Sequence, residues 1–351
     1  MTVRAAPELL ICPGCGGSVE WSGATGGAHS QAEESLRCHG CERTFASVAG
    51  IPDLRLAFPD PYLSRAEDTA RARELAERFE ELDFAGLLRR HWRREGKPEA
   101  LAQRFVAGDL AGARRAEAYL LELERERSAP LTGSAAFLEL GCGTAALAVA
   151  AARRGARVVA TDASMRWLVL ARKRLVEEGL EHAVTLVCTT GEDPALRERG
   201  FDVVAAADVI EHVERPHAFV DGARRLMAGD GLLFLSTPNR FSLGLEPHVR
   251  LWGVGLMPRR LAGAYVRALR RVPYDHVHLL SARSLRRMLE DRGLEPRIVS
   301  PAVSLAGQEL YRGAELALVQ AYNRLRELAL VRAMLLAVGP FFFVFAHEKT
   351  V

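Results

Sequence analysis

Between Phe137 and Asp162 the chain reads FLELGCGTAALAVAAARRGARVVATD. A short apolar run from Ala135 to Leu140 ends at Gly141-Cys142-Gly143, and an alanine-rich segment suited to helix follows. A second apolar run, Arg157 to Thr161, stops at Asp162. Apolar run, glycine turn, helix and apolar run make the βαβ unit that opens a doubly wound sheet. Glycines at such a turn let the backbone approach a ligand closely, and an acid about 20 residues on can grip ribose hydroxyls.

Charge discriminates between the nucleotides that could sit there. A dinucleotide places its pyrophosphate on the helix N-terminus, where anions are favoured. Glu139 stands two residues before the first glycine and would repel phosphate. S-adenosylmethionine has no phosphate; its ammonium and sulfonium would be attracted by a carboxylate. The third glycine of the dinucleotide pattern is also missing, with Ala145 and Ala146 in that region. Glu139, the glycine pair and Asp162 together favour the methyl donor over a plain tight turn.

ELGCGTA and VVATDAS resemble the first two motifs of class I S-adenosylmethionine-dependent methyltransferases. DVIEHVERP (Asp208 to Pro216) and LLFLSTPNR (Leu232 to Arg240) are similar to the branch that includes the ubiquinone-pathway O-methyltransferases. The resemblance implies an α/β fold: a doubly wound, Rossmann-like seven-stranded sheet with an antiparallel last strand. It also implies that Glu139, Gly141, Cys142, Gly143, Asp162, Ala163, Asp208 and Val209 line the cofactor crevice. One of Glu192 and Asp193, in the loop after a third strand at Ala183 to Cys188, would accept from the adenine amino group; the other reading of that loop is a charged surface turn.

Phe201 to Ala207 is the expected fourth strand, and Asp208, Glu211 and His212 follow at its exit. In open α/β sheets chemistry gathers beyond the carboxyl ends of strands. Residues at i, i+3 and i+4 share one face if a helical turn begins there. In the ubiquinone-type relatives an acid and a Glu-His pair sit beside the methyl acceptor and can hold a cation, and Asp208, Glu211 and His212 match those positions in type. A second cation there would lower a hydroxyl pKa; alternatively His212 is a direct general base. Against both stands the bland reading of helix-start residues satisfied by backbone bonds. His276 or His278 is placed to reach the same acceptor. Gly231 to Thr237 reads as the fifth strand, with Asn239 and Arg240 facing the pocket or fixing the loop. Phe341 to Lys349 reads as the last strand, after a helix over 308–336.

The N-terminal part carries a separate signal. Cys12-Pro13-Gly14-Cys15 and Cys38-His39-Gly40-Cys41 are two knuckles separated by 22 residues. That spacing places four thiolates around a tetrahedral, structural zinc with no open position for water. With its Gly50-Ile51-Pro52-Asp53 turn the segment resembles the small zinc ribbon that precedes many bacterial methyltransferase domains. Such a module implies RNA or a carrier protein as partner, although this one is not markedly basic or aromatic.

The 351 residues therefore divide into a zinc ribbon at 1–58, a helical linker or cap at 59–130 and a methyltransferase domain at 131–351. In the linker, Ala72, Leu75, Phe79 and Leu82 recur at helical spacing, as do Tyr119, Leu120 and Leu123; Gly96 and Pro98 break it into at least two helices. An insert at 241–273 mixes Phe241, Trp252, Leu256 and Tyr265 with six arginines. It reads as a lid over an apolar substrate, a membrane-surface contact, or ordinary packing. The net charge of +3 favours no polyanionic partner by itself. Without a signal-peptide pattern the chain is expected in the cytoplasm, its cysteines reduced. A near-continuous apolar stretch at Leu328 to Ala346 is interrupted by Arg332 and Gly339-Pro340, which argues against a span. The function expected is O-methylation of a small molecule, in secondary metabolism or on a quinone or glycan precursor. The rivals are RNA base methylation guided by the ribbon and a non-catalytic cofactor-binding scaffold.

Overall fold

The computed structural model describes residues 5–22, 34–60, 62–95, 99–302 and 313–349. Four strands make the N-terminal sheet: β1 (Val19–Ser22), β2 (Ser35–Cys38), β3 (Thr44–Val48) and β4 (Ile51–Pro52), paired in that order. Four helices follow: α1 (Arg65–Ala76), α2 (Phe84–Arg94), α3 (Glu99–Leu110) and α4 (Gly112–Arg127). The α1 start is fixed by a capping box, with the Ser64 hydroxyl accepting from Glu67 N and the Glu67 carboxylate accepting from Ser64 N.

The large sheet contains β5 (Ala136–Leu140), β6 (Arg157–Asp162), β7 (Val184–Cys188), β8 (Phe201–Ala207), β9 (Met227–Pro238), β10 (Leu294–Val299) and β11 (Phe341–Glu348). Its order is β10-β11-β9-β8-β5-β6-β7. β5 through β9 pair in parallel, and β11 runs antiparallel between β9 and β10. The expected doubly wound sheet with an antiparallel last strand is the fold observed.

Residues on alternate faces of the strands serve two cores. Phe137, Val158, Val203, Phe234 and Phe345 pack with α4, α5 (Ala146–Arg153) and α6 (Met165–Glu177). Leu138, Val159, Val204, Leu235 and Val344 pack with α7 (Pro216–Leu226) and α9 (Ala282–Glu290). Because both faces are covered, all five residues of β5 are buried. The N-terminal module shares the second core, through Leu10, Val19, Leu36, Phe45 and Leu54.

This sharing changes the domain picture. Asp53 bridges Cys188 in parallel and Leu54 N donates to Cys188 O at 2.8 Å, so the ribbon tail lies along the outer edge of the large sheet. Leu10 pairs with Leu196, and Ile11 N donates to Ala195 O at 3.1 Å. The boundary drawn at residue 58 thus separates segments that pack on one another. The expected helix over 308–336 is two helices, α10 (Ala314–Leu325) and α11 (Ala329–Val338), with residues 308–312 outside the described part. Among the described residues no helix is long and apolar enough to cross a membrane.

The insert forms α8 (Arg259–Arg270) over a small core of Leu251, Val254, Ala262, Val266, Tyr274 and Val277. Asn239 fixes the loop that leads into it, donating to Ala337 O and Gly339 O at 3.2 and 2.9 Å. Arg240 does the same by donating to Gly255 O.

Candidate active site

The carboxyl ends of β5, β6 and β8 meet in one crevice. Gly141 adopts φ +72°, and a Cβ there would lie 2.6 Å from a Val209 methyl, so only glycine lets these strand exits touch. Asp162 Oδ2 accepts from Gly143 N at 2.8 Å, and its Oδ1 accepts from Ser164 N at 2.8 Å. Burial raises the Asp162 pKa. Cys142 is buried, its amide bonded to Thr161 O. Ala163 offers its carbonyl to Arg55.

Glu139 is not a free surface charge. Its carboxylate is buried and accepts from Ala148 N of α5 at 2.8 Å. Burial, assisted by nearby Asp162, pushes its pKa up to about 8. The attraction for a cationic donor assigned to it from sequence is therefore conditional: a cation beside it would restore the ionised form. Ala145, where the third glycine is missing, takes the left-handed conformation anyway, at φ 56°.

In the loop after β7, Glu192 is half-buried, whereas exposed Asp193 lies 3.9 Å from Arg225. Gly191 packs so closely on Phe219 that a Cβ would come within 2.4 Å of its ring.

After β8 the backbone does not enter a helix. Asp208 sits at φ 58°, and a single turn is closed by His212 N donating to Val209 O at 2.8 Å. The expected trio consequently splits: Glu211 and His212 stay together, and Asp208 bonds elsewhere. Asp208 Oδ1 accepts from Ser236 Oγ at 2.6 Å, close enough to Tyr119 of α4 that it helps burial push that phenol up to about 12. Glu211 is fully buried; its Oε2 accepts from Thr237 Oγ1 at 3.0 Å, and its Oε1 has no hydrogen-bond partner among the described residues. Burial, then the neighbouring Asp208, raises the Glu211 pKa to about 7.

His212 turns toward a residue the sequence did not single out. Its Nε2 lies 3.0 Å from His248 Nε2, and His248 Nδ1 is bonded to the buried Glu246 carboxylate. Glu211 Oε1 is 4.0 Å from His248 Nε2. Burial and the charge on His248 lower the His212 pKa to about 3. Burial alone would lower His248 too, but Glu246 overrides it and holds that imidazole above its ordinary value. His276 stacks on His212 with ring centroids 6.1 Å apart, and its Nδ1 is 2.6 Å from the hydroxyl of Tyr62. His278 contributes only its amide, to Glu211 O. The site therefore draws on β8, the insert, the segment before α9 and the linker before α1. No spacing rule links Glu246-Pro247-His248 to the motif at Asp208, which is why pattern reading missed it.

Among the described residues, two groups of side chains can hold a metal ion. The ligand atoms of Glu211, His212 and His248 all lie within 4.8 Å of one another, and the unpartnered Glu211 Oε1 is the oxygen near His248. The thiols of Cys12, Cys15, Cys38 and Cys41 form the other. Sulfur atoms about 2.3 Å from a tetrahedral zinc lie about 3.8 Å apart. Here Cys12 and Cys41 are separated by 3.7 Å and Cys15 and Cys38 by 3.5 Å, and Gly40 N donates to Cys38 Sγ. The four-thiolate cage fits zinc.

Comparison with known proteins gives the arrangement a context. The ubiquinone biosynthesis O-methyltransferase of Cereibacter sphaeroides is 39% identical over 120 residues, covering 34% of this chain and 48% of that protein. The protein of that name from Salmonella paratyphi A is 35% identical over 147 residues, 41% of this chain and 60% of its own. The chain thus spans about half the length of the curated relatives it matches. Among solved structures, geranyl diphosphate C-methyltransferase from Streptomyces coelicolor A3(2) is similar at 18% identity and a TM-score of 0.41, over 62% of this chain and 71% of that one. A family model described as a methyltransferase domain matches residues 111–298, more than half of the chain and the whole of the crevice built on β5, β6 and β8. The chain belongs to the methyltransferase family.

Proposed function

We propose that the chain uses S-adenosylmethionine to methylate a hydroxyl oxygen of a small molecule, with a phenolic or quinol-type acceptor preferred. The observation that carries the acceptor side is the buried Glu211 Oε1, unpartnered among the described residues and 4.0 Å from His248, in a cluster that includes His212. Relatives bearing an O-methyltransferase name support the choice of oxygen.

When bound, the cofactor supplies an electrophilic methyl group, leaving alignment and exclusion of water to the protein. The close contact of Gly141 with Val209 sets the crevice floor, and Asp162 is the residue assigned to the ribose hydroxyls. Glu192, Asp193, Ala163 and Cys142 would line the rest of it. At the exit of β8 stand Glu211 and His212, joined by His248, and their carboxylate and two imidazoles suit a divalent cation. A cation held there would lower the pKa of an adjacent hydroxyl and orient its oxygen. With a pKa near 3, His212 is a poor proton acceptor at neutral pH but is already in the neutral form a ligand needs, which favours the ligand role over the direct-base role. Glu246 orients His248 as an outer carboxylate orients a metal-bound histidine. Tyr119, held protonated, can donate a hydrogen bond toward Asp208 or the acceptor.

In this reading the cysteine cage holds a structural zinc and the protein works in the cytoplasm, where four free thiols persist as ligands. The test is to incubate the full chain with methyl-labelled cofactor and separate pools of phenols, sugar hydroxyls, amines and RNA. Label appearing as base-stable methyl ether on the phenol pool is expected; label confined to RNA or to amines would refute the proposal.

A further inference from the structure

The edge strand of the large sheet leads to a buried ionic network that the reaction just described does not use. The tail of the cysteine module continues from β4 through Asp53 and Leu54, paired along Cys188, to Arg55. The Arg55 side chain has no solvent exposure. Its Nε and Nη2 donate to the two oxygens of Asp53 at 2.8 and 2.7 Å. Its Nη1 donates to Asp68 Oδ2 and to Ala163 O, both at 2.7 Å. Asp68, equally buried on α1, accepts from Ser164 Oγ and Met165 N at 2.8 Å and from Arg166 at 2.7 Å. Asp68 thereby acts as the N-terminal cap of α6 from a distant part of the chain, because Ser164 makes no side-chain cap of its own.

These bonds end on the residues that follow Asp162. The module also grips the neighbouring loop, where Ile11 bonds to Ala195, and Ala195 N in turn donates to Thr189 Oγ1. Thr189 N closes the circuit by donating to Asp162 O at 3.1 Å. Stability alone does not require such a network, since apolar side chains of like volume commonly replace buried ion pairs without loss. Charged groups aimed at two specific backbone positions do something an apolar plug cannot: they fix where those positions lie.

We infer that Arg55 and Asp68 are positioning residues of the cofactor crevice, and that through them the closed cysteine module sets cofactor affinity. The inference rests on the reading of the crevice as an S-adenosylmethionine site. Pairing of β2 with β3 and of β3 with β4 gives the path rigidity from the thiol cage to Arg55. Opening the cage frees that path and lets the Asp162 to Ser164 segment drift from its productive place.

The experiment is calorimetric titration of S-adenosylhomocysteine into the full chain, with and without prior treatment by a strong zinc chelator. The same titration is run on Asp68→Asn, Arg55→Lys and Ser164→Ala. Chelation and Asp68→Asn should each weaken binding roughly tenfold, and Ser164→Ala, which leaves the ion pairs intact, about threefold. Ser164→Ala should lower the melting midpoint by only a few degrees and stay folded at the titration temperature, so its effect cannot be ascribed to unfolding. An analogue lacking both ribose hydroxyls should bind wild type and Ser164→Ala alike, because the lost alignment concerns Asp162. Equal affinity for S-adenosylhomocysteine across wild type, chelated protein and Ser164→Ala would overturn the inference while leaving the cofactor site standing. Failure of the wild type to bind at all would overturn both.

Discussion

The cysteine cage and the histidine cluster are built in opposite ways. The cage takes its four ligands from two knuckles whose spacing is written in the local sequence, and β2 brings them together over a short stretch of chain. The histidine cluster takes Glu211 and His212 from the turn after β8, His248 from the insert and His276 from the segment before α9. Local spacing can encode a tetrahedral site because turn geometry fixes where neighbouring side chains go. A site gathered across large loop separations depends on the sheet and the insert folding first.

Four measurements put this contrast at risk. The largest expected effect is on the locally encoded site: Cys38→Ser should disorder the N-terminal module, a loss of several kcal/mol typical of structural zinc sites. Amide exchange at β2 and β3 should then approach the unfolded rate while β5 and β8 remain protected. Protection of β2 surviving in that variant would show that packing on the large sheet, and not metal, closes the module. Next is the assembled site: His248→Ala should lower kcat by roughly a hundredfold, or about 2.7 kcal/mol, with cofactor affinity unchanged. A variant retaining full turnover would remove His248 from the site and leave only the motif visible in sequence.

The third measurement concerns His91, buried beside Trp92 and Trp167, where burial and then the Arg166 charge depress its pKa to about 3. A histidine with a lowered folded pKa contributes stability that is complete above its unfolded value near 6.5 and declines as pH falls toward 3. Between pH 7 and pH 5 this group should cost about 2 kcal/mol, readable in urea midpoints. His91→Leu should lose that much less over the same interval. An unchanged pH slope would mean the group titrates elsewhere.

The smallest effect expected is at Ala145. Glycine there relieves the left-handed strain but removes a fully buried methyl, and the two terms are each about 1 kcal/mol. Ala145→Gly should therefore change stability by less than about 0.5 kcal/mol, whereas Ala148→Gly within α5 should cost more than about 1 kcal/mol. A large penalty at Ala145 would show that its methyl packs more tightly than its backbone is strained.

Most of the fold was readable because the signals were periodic. The βαβ unit, the strand at Phe201 to Ala207 and the antiparallel FFFVF strand all appear where alternation and glycine breaks put them. Asp208 was legible as a candidate but not as to partner: at its positive φ it bonds Ser236, whereas Glu211 and His212 join His248. Glu139 was legible as a position but not as a charge state, because ionisation depends on burial that no single motif reports.

The glycine turn, the acid that ends β6 and the cage of four thiols follow from the order of residues alone, because each depends on short-range geometry and residue type. Only the tertiary structure decided that His248 and Tyr62 join the acceptor side, and that Arg55 reaches under the loop after Asp162. These depend on which surfaces bury one another, and that is settled by packing over the whole chain rather than by neighbours in sequence.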